Sequence, residues 1–172
     1  ILKKAHQIFL QQTDGMEFYA MGELEYYVIG KEEDAFPAVD QKGYHEAAPF
    51  SKFEDFRCKT MMYIAQVGGQ IKYGHNEVGN FVHEGKIYEQ NEIEFLPSPV
   101  TDAADQLLLG KWIINKLAYQ YGLDVTFAPK ITVGKAGSGM HIHTCIMKNG
   151  ENQYVDKGKL TDTAKKAIAG FM

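Results

Sequence analysis

The sequence predicts an α+β fold: a curved, largely antiparallel sheet with flanking helices, within a chain of 172 residues. Two observations predict it. Strand-like segments at 71–82 and 87–96 flank Glu84-Gly85, an arrangement typical of a hairpin. Helical periodicity occurs in separate segments, without the regular strand–helix alternation that indicates a parallel sheet. With 45% apolar residues, the chain has enough hydrophobic side chains to form one core.

Each element follows from a local pattern of apolar, β-branched and turn-forming residues. Aromatic and branched residues predict strands, whereas apolar residues at helical spacing before a glycine predict helices. The predicted elements are a helix at 1–12, a strand at 16–29, a long loop at 30–52, a helix at 53–67, strands at 71–82 and 87–96, a helix from an N-cap at Thr101 to Gly122, short strands at 125–129 and 140–147, and a final helix capped by Thr161.

Composition indicates which partners and which cellular compartment to expect. The net charge of -4 and the lack of a basic cluster argue against a nucleic-acid partner. Cys58 and Cys145 are far apart and fit no zinc or disulfide spacing, so we expect buried thiols in a reducing compartment. No apolar run is long enough to cross a membrane and no secretion signal is present, which predicts a cytoplasmic protein. The chain lacks an initiator Met and ends within a predicted helix, so we expect a segment of a longer protein.

Two glutamates share one face of the first predicted strand. Glu23 and Glu25 are two residues apart, so both side chains leave the same side of the strand. Their neighbours on that face, Tyr19, Met21 and Tyr27, are typical of a core. Charged groups in such surroundings are costly unless they are paired or bound to a metal. On this pair alone, a strand face that passes from core to solvent is the simpler interpretation.

The hairpin predicts a second pair of carboxylates. A turn centred between Glu84 and Gly85 places residues whose numbers sum to 169 opposite each other, so Phe81 faces Tyr88 and His75 faces Glu94. The same register places Glu77 opposite Glu92, with Cβ atoms about 5 Å apart. A cation between them would remove the repulsion. A β-bulge would shift this register, and a solvated glutamate pair is an equal alternative.

The glycine-rich stretch before the last long strand is the most specific motif. Gly134, Gly137 and Gly139 allow the backbone to approach a ligand closely. His141 and His143 then leave one face of the next strand. The alternative is an ordinary glycine-rich loop followed by two surface histidines. Several carboxylates with one imidazole suit magnesium or manganese better than a metal that prefers thiolates.

Together these blocks resemble the glutamine synthetase family, in the family's order and over nearly the whole chain. The matching blocks are Gly22-Glu-Leu-Glu25, His75-Asn-Glu-Val78, Gln90-Asn-Glu-Ile93, Ala104-Asp105, Thr126–Lys130 and Gly137–His143. The resemblance implies that Glu25, Glu77 and Glu92 bind one Mg²⁺ or Mn²⁺ ion. It also implies that Glu23 and His141 bind a second ion, next to the ATP phosphates.

The resemblance implies further roles and also shows departures from the family pattern. His143 and Cys145 correspond to nucleotide-binding positions, and the Gly137 backbone corresponds to part of the glutamate pocket. Cys145 replaces the serine that usually follows the second histidine. Ala136 stands where the family usually has an asparagine near the glutamate.

The implied activity is ATP-dependent ligation of ammonia to the γ-carboxylate of L-glutamate through γ-glutamyl phosphate, giving glutamine, in a homo-oligomeric ring. Residues 1–172 would form part of the catalytic domain, with an N-terminal β domain and the C-terminal part of the catalytic domain outside the chain. We therefore expect this chain to be inactive by itself. Ala136 leaves a γ-glutamyl–amine (polyamine) ligase as an alternative. A non-catalytic structural relative is a second alternative.

Overall fold

The computed structural model describes residues 1–172 and confirms the predicted α+β class. Four helices and nine strands occur in the order α1 (Leu2–Gln12), β1 (Glu17–Lys31), α2 (Glu54–Gln66), β2 (Ile71–His83), β3 (Lys86–Phe95), β4 (Ser98–Pro99), α3 (Val100–Tyr121), β5 (Asp124–Thr126), β6 (Met140–Lys148), β7 (Glu151–Asn152), β8 (Val155–Asp156), β9 (Lys159–Leu160) and α4 (Asp162–Phe171). No helix is both long enough and apolar enough to span a bilayer.

Seven strands form one sheet. Its main order is β2-β3-β1-β6-β7, and both β4 and β5 also pair with β1. Strand β1 is antiparallel to β3, β4 and β5, and β3 is antiparallel to β2. Strands β8 and β9 form a separate two-stranded sheet. The long strand β1 is therefore central, which is consistent with its nearly continuous burial between Ala20 and Val28.

The chain divides into two compact units. The smaller comprises 1–21, 97–105 and 142–172, and the larger comprises 22–96 and 106–141. The larger unit contains the main core, in which Leu24, Tyr26 and Val28 of β1 pack with apolar residues of β3, α2 and α3. Because alternate residues of β1 face this core, the residues between them, including Glu23 and Glu25, leave the opposite face.

Most predicted elements occur, but the bounds of α3 and β5 differ and the short strands β4, β7, β8 and β9 were not predicted. Helix α3 begins at Val100, so Thr101 lies inside it, because the chain enters the helix directly from the short strand that ends at Pro99. Strand β5 covers only Asp124–Thr126.

Both cysteines are free as expected, but Cys58 is exposed and Cys145 is half-buried. Helix α2 buries Phe56, Arg57, Thr60 and Ile64, and Cys58 falls outside that stripe. At the other end of the chain, Thr161 caps α4 as predicted, its Oγ1 accepting a hydrogen bond from the Ala164 amide at 3.2 Å.

The β2–β3 hairpin has the predicted turn. Glu84 and Gly85 both have positive φ, at 50° and 71°, as a type I′ turn requires. Next to the turn, Phe81 faces Tyr88, as predicted.

Farther from the turn, the predicted register is wrong. The pairing shifts between Asn76 and Asn80, so His75 faces Glu92 instead of Glu94, and Glu77 has no direct cross-strand partner. A β-bulge causes the shift. In the bulge, the Val78 carbonyl accepts a hydrogen bond from the amide of Gly43 at 3.3 Å.

A buried carboxylate connects β3 to the start of α2. Glu89 is fully buried and accepts hydrogen bonds from the backbone N–H groups of Lys52 (2.7 Å) and Phe53 (3.2 Å) and from the Ser51 hydroxyl (3.1 Å). These groups immediately precede α2, whose N-cap residue makes no side-chain cap. A carboxylate there stabilises the helix N-terminus. Glu89 therefore holds the end of the long loop against the sheet.

We expect Glu89→Ala to lower the free energy of unfolding by about 3 kcal/mol, because it leaves buried backbone donors unpaired. Chemical denaturation measures this change. Glu32→Ala removes an exposed carboxylate and should change stability by less than about 0.5 kcal/mol. Equal effects of the two substitutions would show that Glu89 is not a structural anchor.

The Glu89 carboxyl also predicts a pH dependence. Burial raises its pKa, although hydrogen bonds from Lys52 and Phe53 oppose the shift. A raised folded-state pKa disfavours the ionised form, so this contribution to stability falls as pH rises from the unfolded pKa through the folded pKa. The free energy of unfolding of Glu89→Gln minus that of wild type should therefore increase with pH above about 4.3. Urea titrations between pH 4 and 8 test the sign, and a decreasing difference would contradict it.

Candidate functional site

A row of carboxylates from β1 and β3 occupies one face of the sheet in the larger unit. Glu23 lies opposite Glu94, and Glu25 lies opposite Glu92. Glu25, Glu92 and Glu94 are each between 5% and 8% exposed. Directly opposed carboxylates repel each other, and their burial increases the cost. This face therefore concentrates negative charge that requires compensation.

Strand β2 adds His75 and Glu77 beside Glu92. The Nε2 atom of His75 lies 3.1 Å from Oε2 of Glu92, and its Nδ1 atom lies 3.8 Å from Oε1 of Glu77. The three side chains offer ligand atoms that lie within 4.8 Å of one another. Glu77 and Glu92 thus converge as expected, but His75, which occupies the direct cross-strand position, lies in contact with both.

The start of β6 brings His141 to the other end of the row. Its Nδ1 atom lies 2.9 Å from Oε2 of Glu23 and 4.0 Å from Oε1 of Glu25. The contact with Glu23 raises the pKa of the His141 imidazole. The five residues predicted as metal ligands are thus all present in the larger unit. Their metal-binding roles stay predictions.

The sequence predicted no ligand role for two further residues of this face. His75 and Glu94 both contribute to groups whose ligand atoms lie within 4.8 Å of one another, the second group being Glu23, Glu92 and Glu94. Burial tends to raise the pKa of Glu94, but Lys72, whose Nζ lies 2.6 Å from Oε2, shifts it downward overall. The two-residue spacing of Glu92 and Glu94 was the available sequence signal.

The electrostatics fit a divalent cation. Burial raises the pKa of Glu25, and the charge of Glu92 raises it further, although the Gly139 amide opposes the shift. Burial and the charge of Glu92 also raise the pKa of Glu77. A cation would relieve this repulsion. Carboxylate oxygens with an imidazole at the edge suit Mg²⁺ or Mn²⁺.

The glycine-rich loop lies against the same face. The Gly139 amide donates to Oε2 of Glu25 at 3.1 Å, and the Tyr27 hydroxyl donates to the carbonyl of Ala136 at 2.7 Å. Burial raises the pKa of Tyr27 to about 12, so the hydroxyl keeps its proton at neutral pH. A Cβ atom at Gly139 would lie only 3.2 Å from Oε1 of Glu25. This glycine therefore lets the backbone approach the Glu25 carboxylate. The predicted approach of the loop to a ligand stays a prediction.

The structure explains Gly137 without a ligand. A Cβ atom there would lie 2.4 Å from the Pro129 carbonyl oxygen, so the glycine is needed where the chain approaches itself. Its predicted role in a glutamate pocket stays a prediction. The same holds for the nucleotide-binding roles of His143 and Cys145, which lie in the smaller unit on β6.

A row of buried carboxylates with adjacent imidazoles offers the oxygen and nitrogen ligands that divalent cations take in proteins. Residues 1–172 match the family described as "Glutamine synthetase, catalytic domain". The chain therefore belongs to the glutamine synthetase catalytic-domain family.

Curated relatives include enzymes with different names. The glutamine synthetase of Thermus thermophilus is 32% identical over an alignment of 160 residues that covers 90% of this chain and 34% of that protein. The 3-hydroxylaminophenol mutase of Cupriavidus pinatubonensis is 35% identical over 132 residues, which are 76% of this chain and 26% of that protein. The chain thus spans about a third of the length of the curated relatives it matches.

Solved structures support the same fold. The cryo-EM structure of Plasmodium falciparum glutamine synthetase matches with a TM-score of 0.82 and 17% identity, covering 98% of this chain and 38% of that chain. A GmaS/ADP complex matches with a TM-score of 0.79 and 21% identity, covering 98% and 38%. At these identities the likeness establishes the fold alone.

Position 79 in the β2 bulge has no room for a side chain, so we expect it to require glycine. A Cβ atom there would lie 1.9 Å from the Tyr27 hydroxyl and 2.7 Å from Oε1 of Gln90. We expect Gly79→Ala to lower the free energy of unfolding by about 3 kcal/mol through overpacking. Gly170→Ala is the matched control, because no other group lies within 4 Å of its Cβ position. Urea denaturation measures both, and a neutral Gly79→Ala would contradict this account of the bulge.

Proposed function

We propose that this domain contributes the divalent-cation centre of an ATP-dependent ligase that joins ammonia to the γ-carboxylate of L-glutamate, giving glutamine. The observation that carries the proposal is the position of Glu92. It faces Glu25 across the sheet and belongs to both groups of converging ligand atoms. Membership of the glutamine synthetase family supports the reaction class. The substrates, a homo-oligomeric ring and a cytoplasmic setting are parts of the same proposal.

The proposal assigns the five predicted ligands to two cations. Glu25, Glu77 and Glu92 would hold one Mg²⁺ or Mn²⁺ ion, and Glu23 with His141 would hold a second. Bound cations supply positive charge that neutralises the phosphates of ATP and the γ-carboxylate of glutamate.

The chain's own residues keep this arrangement fixed. His75 contacts Glu92, and the Gly139 amide contacts Glu25, so these two carboxylates are oriented before any ligand binds. Pre-organised groups avoid the cost of reordering during the reaction. In the proposal, the backbone at Gly137 contributes to the pocket for glutamate.

A second candidate is a γ-glutamyl–amine ligase, which would join an organic amine to glutamate. Ala136 favours it, because a methyl group stands where the family usually has an asparagine beside the glutamate. The Ala136 backbone is held by Tyr27 and Gln41, through its carbonyl and its amide respectively. Phosphate release from ATP and product masses, measured on the full-length protein with ammonium, methylamine and putrescine in turn, decide between the candidates. A preference for ammonium supports glutamine formation, whereas a preference for an organic amine supports the second candidate.

We expect Glu92→Gln to reduce the stabilisation that Mn²⁺ gives to the protein. The substitution keeps an oxygen that can accept from His75 but removes one carboxylate ligand. At 100 times its Kd, a ligand adds about 2.7 kcal/mol to the free energy of unfolding. Losing one carboxylate should remove most of this increment. Thermal and urea denaturation with and without Mn²⁺ measure it.

Glu89→Gln is the matched control for this experiment. It changes a glutamate that is equally buried on the same strand, three residues earlier and therefore on the other face of the sheet. We expect this control to keep the full Mn²⁺-induced increment. An unchanged increment in Glu92→Gln would show that Glu92 does not bind the cation.

A further inference from the structure

Gln90 carries a fully buried amide on the carboxylate face of β3. It lies two residues before Glu92 and opposite Tyr27. Only 1% of the residue is exposed. A buried primary amide has two hydrogens to donate and an oxygen that accepts, and each unpaired group would be costly.

Both the NH₂ group and the oxygen of the Gln90 side-chain amide form hydrogen bonds. Its Nε2 atom donates to Oε2 of Glu25 and to the carbonyl of Gly137, both at 2.9 Å, and lies 3.3 Å from the Ser138 hydroxyl. Its Oε1 atom accepts from the Gly79 amide at 3.0 Å. One side chain thus contacts a carboxylate on β1, the glycine-rich loop and the bulge of β2.

These contacts make Glu25 and the loop depend on each other. Oε2 of Glu25 accepts from both Gln90 and the Gly139 amide, which leaves Oε1 as the oxygen nearer His141. The second Nε2 hydrogen holds the Gly137 carbonyl. A rotation of the Glu25 carboxylate would therefore break bonds to the loop, and a shift of the loop would release the carboxylate.

The contacts require an amide at this position. A methionine of similar length would give no hydrogen to Glu25 or Gly137 and would leave the Gly79 amide unpaired. An asparagine would keep the polar group, but it is shorter by one methylene and cannot reach all of these partners. Methionine and asparagine are both uncharged, so neither substitution changes the charge of the site.

We propose that Gln90 is a positioning residue that holds Glu25 and the 137–139 backbone in one arrangement. Cation binding at Glu25 is then coupled to the geometry of the proposed glutamate pocket at the Gly137 backbone. This inference rests on the proposed cation centre and deepens it. Gln90 does not bind the cation in this scheme. It acts through Glu25, as hydrogen-bonding partners of metal ligands commonly do.

Binding of Mn²⁺ alone tests the proposal in the full chain. The electron paramagnetic resonance signal of free Mn²⁺ measures the dissociation constant for wild type, Gln90→Met and Gln90→Asn. Loss of such a partner commonly weakens metal binding 10- to 100-fold, and we expect about this loss in Gln90→Met and a smaller loss in Gln90→Asn. Gln120→Met and Gln120→Asn, at an exposed position of α3, should bind Mn²⁺ as wild type does.

Amide hydrogen exchange of wild type provides a test that needs no variant. The Gly139 amide, which donates to Glu25, should exchange slowly and become slower still with Mn²⁺. Rapid Gly139 exchange that Mn²⁺ does not change would overturn the coupling. If Gln90→Met does not fold, Gln90→Asn and this exchange measurement decide.

The outcomes separate this inference from the proposed function. Gln90 variants that are less stable but bind Mn²⁺ with the wild-type constant would show a packing role only and overturn the inference. The proposed cation centre would then stand. A wild-type protein that binds no Mn²⁺ would overturn both.

Discussion

The opposition of Glu25 and Glu92 is the constraint on which the site depends. Two carboxylates that face each other across neighbouring strands are unfavourable when both are buried. The surrounding groups offset this cost locally: His75 contacts Glu92, while Gln90 and the Gly139 amide donate to Glu25. Burial is the largest cause of the raised pKa values of Glu25 and Glu77, and the charge of Glu92 raises both further. The residual repulsion is what a divalent cation would remove.

Successive side chains of β3 point to opposite faces of the sheet, so this strand has the site on one face and the structural core on the other. Gln90, Glu92 and Glu94 face the carboxylate row, whereas Glu89 and Asn91 face α2. On the α2 side, Arg57 donates to Asn91, which in turn lies beside Glu89. Both faces therefore carry buried polar groups, but Glu89 accepts from two backbone N–H groups and the Ser51 hydroxyl, whereas Glu25 and Glu92 lie directly opposite each other. Directly opposed buried carboxylates are more consistent with ligand binding than with folding.

The bulge in β2 connects the long loop to the site. Residues 77–79 leave the ladder, and the backbone of the bulge pairs with the loop through Gly43 instead. Gly79 allows the Tyr27 hydroxyl and Gln90 to come within distances that any side chain would block. The bulge also places His75, rather than Glu77, directly opposite Glu92. Three segments, the long loop, β2 and β3, therefore meet at the bulge.

The sequence alone predicted the order of the helices and long strands and the hairpin turn, because these depend on local periodicity and turn chemistry. The carboxylates were assigned as metal ligands by the resemblance to the family, since spacing alone left solvated glutamates as an alternative. The two-residue spacing of Glu23 and Glu25 was sufficient to put both on one face. Tertiary structure alone decided the register around Glu77 and the contacts of His75 and Gln90. A bulge depends on which loop packs beside the strand, and that loop is more than 30 residues away in sequence. Side-chain hydrogen bonds between distant segments, such as Gln90 to Glu25, leave no periodic signal in the chain.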